Sequence, residues 1–148
     1  MMHKAIAQAR LAWEAEEVPV GAVVYCGDRI ISTGHNLRES HTDPTAHAEI
    51  IALRKAAKTL GEWRLTDCTL VVTLEPCCMC AGAIVLARID RLIYGAADPK
   101  AGAVETLYQL CTDSRLNHQV EVVPGVLAEK CGAMLTAFFR RQREMGKK

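Results

Sequence analysis

Hydrophobic positions along this chain follow two alternating periodicities, one typical of amphipathic helices and the other typical of buried strands. Ile6, Ala9 and Trp13 recur at helical spacing with polar residues between them, so the chain begins with a predicted helix. The short apolar and β-branched runs are bounded by glycine and proline turns, as strands are. The predicted elements are a helix at 2–16, strands at 20–25 and 29–33, a helix at 44–58, a strand at 69–74, a helix at 77–87, a strand at 91–94, a short helix at 104–110, a strand at 120–123 and a helix at 127–143.

Strands interleaved with helices predict a central sheet that is covered on both faces. We therefore expect a three-layer α/β/α sandwich around a mixed five-stranded sheet, with residues 1–148 forming a single domain. No apolar run approaches the roughly 20 residues that cross a bilayer, and the N-terminus lacks the core of a signal peptide. These observations predict a cytoplasmic protein with no membrane partner.

The cysteines add a constraint on the compartment and on the chemistry. Their number, seven, is odd, and three of them crowd into positions 77, 78 and 80, which argues against a disulfide framework and favours a reducing compartment. The remaining four occupy apolar surroundings and are predicted to be small buried side chains: Cys26, Cys68, Cys111 and Cys131.

Charged residues are unevenly distributed only at the C-terminal end of the chain. The formal net charge is +1, so the chain as a whole has no strong field that would attract nucleic acid. A basic cluster nevertheless occupies the last predicted helix and its extension: Arg140, Arg141, Arg143, Lys147 and Lys148. This cluster is either a solvated helix end, where cations are favoured, or a patch that contacts phosphates.

Two short segments carry the candidate chemistry, His47-Ala48-Glu49 and Pro76-Cys77-Cys78-Met79-Cys80. Cys77 and Cys80 stand three apart in the first turn of a predicted helix, where both sulfurs share a face and the helix dipole favours thiolates. One imidazole and two thiolates suit Zn²⁺, and three protein ligands leave one coordination position for water. The order H-x-E followed by P-C-x-x-C is the signature of zinc-dependent nucleobase deaminases.

Each of these residues also has an ordinary alternative role. The cysteines could form a redox pair, His47 could be structural, and Glu49 could be an exposed helix residue. A redox pair gives no role to the His-x-Glu segment, whereas a zinc site uses both segments. Cys78 could close the site as a fourth ligand, but adjacent helical residues point in different directions, so we predict that it packs in the core.

Glu49 is suited to carry protons beside the metal. Zinc lowers the pKa of its water to about 7, so a neighbouring carboxylate can take that proton at physiological pH. The same carboxylate can then deliver protons to a ring nitrogen and to the departing amine, and deamination needs both transfers.

Over nearly its whole length the chain resembles the bacterial tRNA-specific adenosine deaminases. The matching stretches are EVPVGAV at 17–23, DPTAHAE at 43–49, TLEPCCMCAGA at 73–83, and residues 95–96, 98, 100–103, 117–118 and 138–141. The resemblance implies a cytidine deaminase-like fold, a homodimer and a tRNA anticodon stem-loop as the substrate. It also implies one Zn²⁺ per subunit on His47, Cys77 and Cys80, proton transfer by Glu49, and substrate contacts by Asn36, Val20 and Asp98.

The function that follows is hydrolytic deamination of adenosine to inosine at the wobble position of a tRNA anticodon. Two alternatives remain at this point. The zinc segments suit equally a deaminase of a free base or nucleoside, such as guanine or cytosine. A non-catalytic RNA-binding protein with structural zinc would instead need a fourth protein ligand.

Overall fold

The computed structural model describes residues 1–147, and its helices and strands alternate along the chain. Within those residues, no helix combines the length and the apolar character that a membrane crossing requires. The elements are α1 (Met2–Glu14), β1 (Gly21–Cys26), β2 (Arg29–His35), α2 (Ala48–Leu60), β3 (Cys68–Leu74), α3 (Cys78–Leu86), β4 (Arg91–Ala96), a 3-10 helix (Leu110–Thr112), β5 (Glu121–Val123) and α4 (Ala128–Glu144).

The five strands form one mixed sheet in the order β2-β1-β3-β4-β5. β1 and β2 are an antiparallel hairpin, and Gly27 in its two-residue turn has a φ of +61°, which glycine adopts without strain. β1 is also antiparallel to β3, whereas β3, β4 and β5 run parallel to one another. The predicted mixed five-stranded sheet is therefore confirmed.

Helices cover both faces of this sheet, as the three-layer prediction requires. Val24 and Leu70 pack with the buried side chains of α2 and α3 on one face, and Val23 and Val71 pack with those of α1 and α4 on the other. Gly34 in β2 allows α2 to approach closely, because a Cβ atom there would lie 2.5 Å from the carbonyl oxygen of Ala48. This contact fixes the N-terminal end of α2, where His47 and Glu49 lie.

The prediction that a helix begins at Pro44 is wrong. Thr45 donates two hydrogen bonds to Asp43 Oδ1, from its backbone N–H (2.8 Å) and from its hydroxyl (2.7 Å), so this segment forms an Asx turn. The helix begins at Ala48, and His47 is its extended N-cap residue with φ −78° and ψ 151°.

The short helix predicted at 104–110 is also absent from the described residues. The backbone N–H groups of Leu107 and Leu110 donate to the carbonyls of Gly102 and Ala103, which lie five and seven residues earlier, whereas an α-helix pairs residues four apart. The segment forms turns instead, and a single 3-10 turn follows at Leu110–Thr112.

The predictions for the cysteines are partly correct. All seven are free thiols, and Cys68, Cys111 and Cys131 are buried, whereas Cys26 is partly exposed. The core position predicted for Cys78 is wrong, because its side chain is exposed on the outer face of α3. The helix packs on the sheet through other residues, chiefly Ala81, Ile84 and Val85.

Candidate active site

The N-terminal ends of α2 and α3 meet at one point, and this brings the two chemical segments together. His47 and Cys77 are the N-cap residues of the two helices, both in extended conformation, and Cys80 lies in the first turn of α3. The Nδ1 atom of His47 lies 3.7 Å from Cys77 Sγ and 3.6 Å from Cys80 Sγ. All three potential ligand atoms lie within 4.8 Å of one another.

This geometry fits a tetrahedral metal ion. Zinc bound by sulfur at about 2.3 Å and by imidazole at about 2.05 Å separates neighbouring ligand atoms by about 3.6 Å (N···S) and about 3.8 Å (S···S). The two measured N···S distances therefore match a tetrahedral edge. Among residues 1–147, no fourth histidine, cysteine or acidic side chain joins the group.

The two thiols polarise each other. The hydrogen bond with the Cys80 thiol, supported by His47, lowers the pKa of Cys77 to about 3. The same hydrogen bond, together with burial, raises the pKa of Cys80. Cys77 is consequently a thiolate at neutral pH, the form that binds metals.

Glu49 lies in the first turn of α2, where the residue is only 4% exposed to solvent. Burial raises its pKa to about 7, although neighbouring His47 opposes the shift. A carboxyl group with this pKa gains and loses a proton near neutral pH, as a general acid-base catalyst must.

Three of these residues form the floor of a cavity of about 710 Å³, which lies beyond the carboxyl ends of β3 and β4. His47, Glu49 and Cys77 line it, and so do the three residues that the resemblance implied as substrate contacts: Val20, Asn36 and Asp98. Sequence-predicted residues from both chemical segments and from three separate loops are thus brought together.

Asn36 and Asp98 also have structural contacts. The Asn36 amide donates to the Val18 carbonyl (3.1 Å) and accepts from the backbone N–H of Ala48 (2.9 Å), so it ties β2 to the first residue of α2. Asp98 Oδ1 accepts from the backbone N–H of Lys100 at 2.9 Å and holds a tight turn in the cavity wall.

Two buried carboxylates near the site were missed by the sequence reasoning, Glu17 and Glu75, each 2% exposed. Glu17 accepts from the backbone N–H groups of Glu39 and Ser40 and from the Ser40 hydroxyl. Glu75 accepts from four backbone N–H groups and one hydroxyl of the loop after β4. The only signal in the sequence was a charged residue placed directly beside an apolar run.

The basic cluster at the C-terminal end divides between two environments. Arg143 lines the cavity, together with Arg38 and Lys100 from two loops. Arg141 and Lys147 instead lie 4.0 Å and 3.8 Å from the carboxylate of Glu16. Lys148 lies outside the described residues.

An α/β/α sandwich that presents a His/Cys/Cys group beside a buried glutamate defines a deaminase of nucleobases. Comparison with known proteins agrees with this class. The chain belongs to the MafB19-like deaminase family, whose model matches residues 1–143.

Curated relatives and solved structures refine the relationship. The tRNA-specific adenosine deaminase of Bacillus subtilis is 52% identical over 99% of this chain and 91% of its own length. That of Haemophilus influenzae is 50% identical over 97% of this chain and 84% of its own length. A solved structure from work on A-to-I editing by tRNA:A34 deaminases is 44% identical, with a TM-score of 0.86, covering 90% of this chain and 96% of that one. The predicted family and its cytidine deaminase-like fold are confirmed.

Solved structures of guanine deaminases share the fold at lower sequence identity. The enzyme from Bacillus subtilis is 31% identical with a TM-score of 0.63, covering 97% of this chain and 91% of that chain. The enzyme from Nitrosomonas europaea is 25% identical with a TM-score of 0.81, covering 93% of this chain and 81% of that chain.

Proposed function

We propose that this chain is a tRNA adenosine deaminase that converts adenosine to inosine at the wobble position of an anticodon. One observation carries the proposal: a His/Cys/Cys group stands beside the buried Glu49 at the floor of a cavity. The chain that holds this site is 52% identical, over 99% of its length, to a tRNA-specific adenosine deaminase. The substrate assignment comes from that likeness, and the chemistry comes from the residues.

His47, Cys77 and Cys80 are the proposed ligands of one Zn²⁺ per subunit, since their spacing fits a tetrahedral site. When bound, a zinc ion with three protein ligands would supply Lewis-acid activation of a water molecule. Glu49 would take one proton from that water and pass it to the ring nitrogen, then take a second proton from the new C6 hydroxyl group and pass it to the departing amine. The net reaction replaces the C6 amino group of adenine with oxygen and releases ammonia.

The cavity walls position the base for this chemistry. Val20, Asn36 and Asp98 are the proposed substrate contacts, because all three line the cavity above the floor. Arg38, Lys100 and Arg143 place positive charge on the walls of the same cavity, where a flipped nucleotide brings its phosphates. A base in an anticodon loop is already largely unstacked, so its extrusion costs only a few kcal/mol.

We also propose that the chain, acting as one deaminase domain over residues 1–148, works in the cytoplasm as a homodimer. α3 is apolar along its whole length, yet Leu86 at its end is 68% exposed and Cys78 at its start is exposed too. The Arg88 guanidinium donates to the Leu86 carbonyl and lies 6.0 Å from the ring of Trp63, which is itself 57% exposed. An exposed apolar patch of this kind, bordered by arginines, is typical of a protein interface.

The second candidate is deamination of a free base, which the structural likeness to guanine deaminases favours. The two candidate activities can be distinguished by comparing turnover of their substrates. We expect zinc-loaded protein to form inosine in an anticodon stem-loop at least about 100-fold faster, per kcat/KM, than it releases ammonia from guanine, cytosine or free adenosine. Faster turnover of guanine than of the stem-loop would reverse the assignment. A protein that binds the stem-loop but converts none of these substrates is the non-catalytic alternative.

A further inference from the structure

Glu75 connects β3 to α3, two residues before Cys77, and its side chain is buried within the loop that follows β4. We propose that Glu75 is a positioning residue, which locks the cavity wall at 98–102 to the metal-binding end of α3. The inference rests on the proposed function, because the wall matters only for a substrate that enters the cavity.

The carboxylate of Glu75 is surrounded by donors from a single segment. Oε1 accepts from the backbone N–H of Asp98 (3.1 Å) and from the Thr106 hydroxyl. Oε2 accepts from three consecutive backbone N–H groups, those of Val104 (3.1 Å), Glu105 (2.9 Å) and Thr106 (3.0 Å). One side chain therefore holds both ends of the segment 98–106.

Backbone contacts complete the connection. The N–H of Glu75 donates to the Ala96 carbonyl at 2.8 Å, and the N–H of Ala103 donates to the Pro76 carbonyl at 2.9 Å. Gly102 lies against the carboxylate, since a Cβ atom there would be 2.5 Å from both Cδ and Oε1 of Glu75. The wall segment and the start of α3 thus form one unit.

The arrangement has a direct consequence for the substrate cavity. Asp98 and Ala101 line the cavity on one side, and Cys77 lines its floor, so Glu75 fixes their separation. The surrounding groups are all donors, which requires a side chain with acceptors only, and an ionised carboxylate is such a side chain. A glutamine would turn an N–H₂ group toward backbone N–H donors, and the wall would lose part of its support.

Three variants test the proposal. Glu75→Gln removes one acceptor at constant size, and Glu75→Asp keeps the charge on a shorter side chain. Gly102→Ala keeps Glu75 intact but pushes a methyl group into its carboxylate. Ser32→Ala is the matched control, because it removes another buried hydrogen bond, the one from the Ser32 hydroxyl to the Ala52 carbonyl (2.6 Å), outside the cavity lining.

The first readout is amide hydrogen exchange, which does not depend on activity. In the wild-type protein we expect the amides of Asp98, Val104, Glu105 and Thr106 to be protected. In Glu75→Gln and Gly102→Ala, their exchange should accelerate at least tenfold relative to the amide of Val71 in β3. Ser32→Ala should leave that ratio unchanged. Unprotected amides in the wild type, or an unchanged ratio in Glu75→Gln and Gly102→Ala, would overturn the proposal.

The second readout is steady-state kinetics on the anticodon stem-loop with zinc content measured for each variant. A misplaced wall weakens binding, so KM should rise at least tenfold in Glu75→Gln and Gly102→Ala while kcat changes less than threefold. Glu75→Asp should fall between these variants and the wild type, and Ser32→Ala should match the wild type. A wild-type KM in Gly102→Ala, or a loss that lies mainly in kcat, contradicts the positioning role.

The two readouts also separate this proposal from the proposed function. Wild-type protein that fails to deaminate the stem-loop refutes the function, and the exchange data then decide alone whether Glu75 holds the wall. If Glu75→Gln does not fold, Glu75→Asp and Gly102→Ala are judged by the same two criteria.

Discussion

The Nδ1 atom of His47 lies 3.6 Å from the Sγ atom of Cys80, although the two residues are 33 positions apart in the chain. Each belongs to the N-terminal end of a different helix, and both helices lie on the same face of the sheet. The distance equals the edge of a tetrahedral zinc site, about 3.6 Å. The fold therefore brings the donor set together at a separation suited to the metal.

Replacing one ligand should abolish tight zinc binding, whereas replacing its neighbour should not. We expect Cys77→Ser to lower zinc affinity more than about 100-fold, beyond the tenfold to 100-fold losses that follow removal of groups around a metal site. Cys78→Ser is the matched control, because Cys78 is exposed and outside the ligand group. Competition with a chromophoric chelator measures both affinities, and equal losses in the two variants would contradict the assignment.

Zinc-edge X-ray absorption tests the number of ligands in the loaded protein. We expect two sulfur atoms and one nitrogen atom from the protein, with an oxygen in the remaining position. A third sulfur in the spectrum would mean that Cys78 reaches the metal and that the site is closed.

Removing the buried charge of Glu49 should stabilise the metal-depleted protein at high pH. The Glu49 carboxyl, with a pKa of about 7 when folded and 4.5 as the ordinary value, holds its proton longer in the folded state. Stability is therefore greatest below about pH 4.5 and falls as the pH rises through 7. Glu49→Gln does not lose stability in this way. Its free energy of unfolding should therefore exceed that of the wild type by about 3 kcal/mol at pH 8 and by little at pH 4.5.

Urea unfolding of both proteins in the presence of a chelator measures this difference. Titrating groups that do not interact with Glu49 are common to the two proteins and cancel in the comparison, whereas the Glu49 charge itself raises the pKa values of His47 and Cys80. A stability difference that does not change between pH 4.5 and pH 8 would show that Glu49 is not a buried, perturbed acid.

Asn36 should contribute to stability as well as to the site. Asn36→Ala leaves the N–H of Ala48 and the carbonyl of Val18 without their partner, which should cost about 1–3 kcal/mol in free energy of unfolding. Asn36→Asp keeps the acceptor for Ala48 but places a carboxylate oxygen against the Val18 carbonyl, so it should not restore stability. Urea denaturation checks both variants, and a loss below about 0.5 kcal/mol in each would refute this role.

The proposed dimer makes a prediction about Leu86. Leu86→Glu should convert the protein from dimer to monomer in sedimentation velocity, because it places a charge in the apolar patch on α3. Leu11→Glu is the control, since Leu11 is 44% exposed on α1 and lies away from that patch. A monomeric wild type, or a Leu86→Glu variant that remains dimeric, would contradict the proposed interface.

Local spacing made the residues of the candidate site predictable from sequence. His47 and Glu49 are two residues apart and Cys77 and Cys80 are three apart, so each pair forms a short motif that can be recognised in the sequence. Hydrophobic periodicity likewise predicted the five strands along the chain and the three layers, but not the order of the strands within the sheet. The proline signal placed the start of α2 too early, because the hydrogen bonds from Thr45 to Asp43 form a turn there.

Long-range polar contacts were beyond this kind of reasoning. Glu75 binds donors 23 to 31 positions away, and no pattern in the sequence pairs them. The wrong helix at 104–110 also reflects backbone contacts that hydrophobic spacing does not reveal. The N–H of Leu107 donates to the Gly102 carbonyl and the N–H of Leu110 donates to the Ala103 carbonyl, and neither bond is helical.

The measurement that tests the central claim most directly is inosine formation in an anticodon stem-loop with a wobble adenosine, by zinc-loaded wild type and by Glu49→Gln. Both proteins should hold one zinc per chain, and Glu49→Gln should convert the stem-loop at least about 100-fold more slowly than the wild type. No inosine from the wild type, equal rates from the two proteins, or full activity after the zinc has been removed would contradict the account.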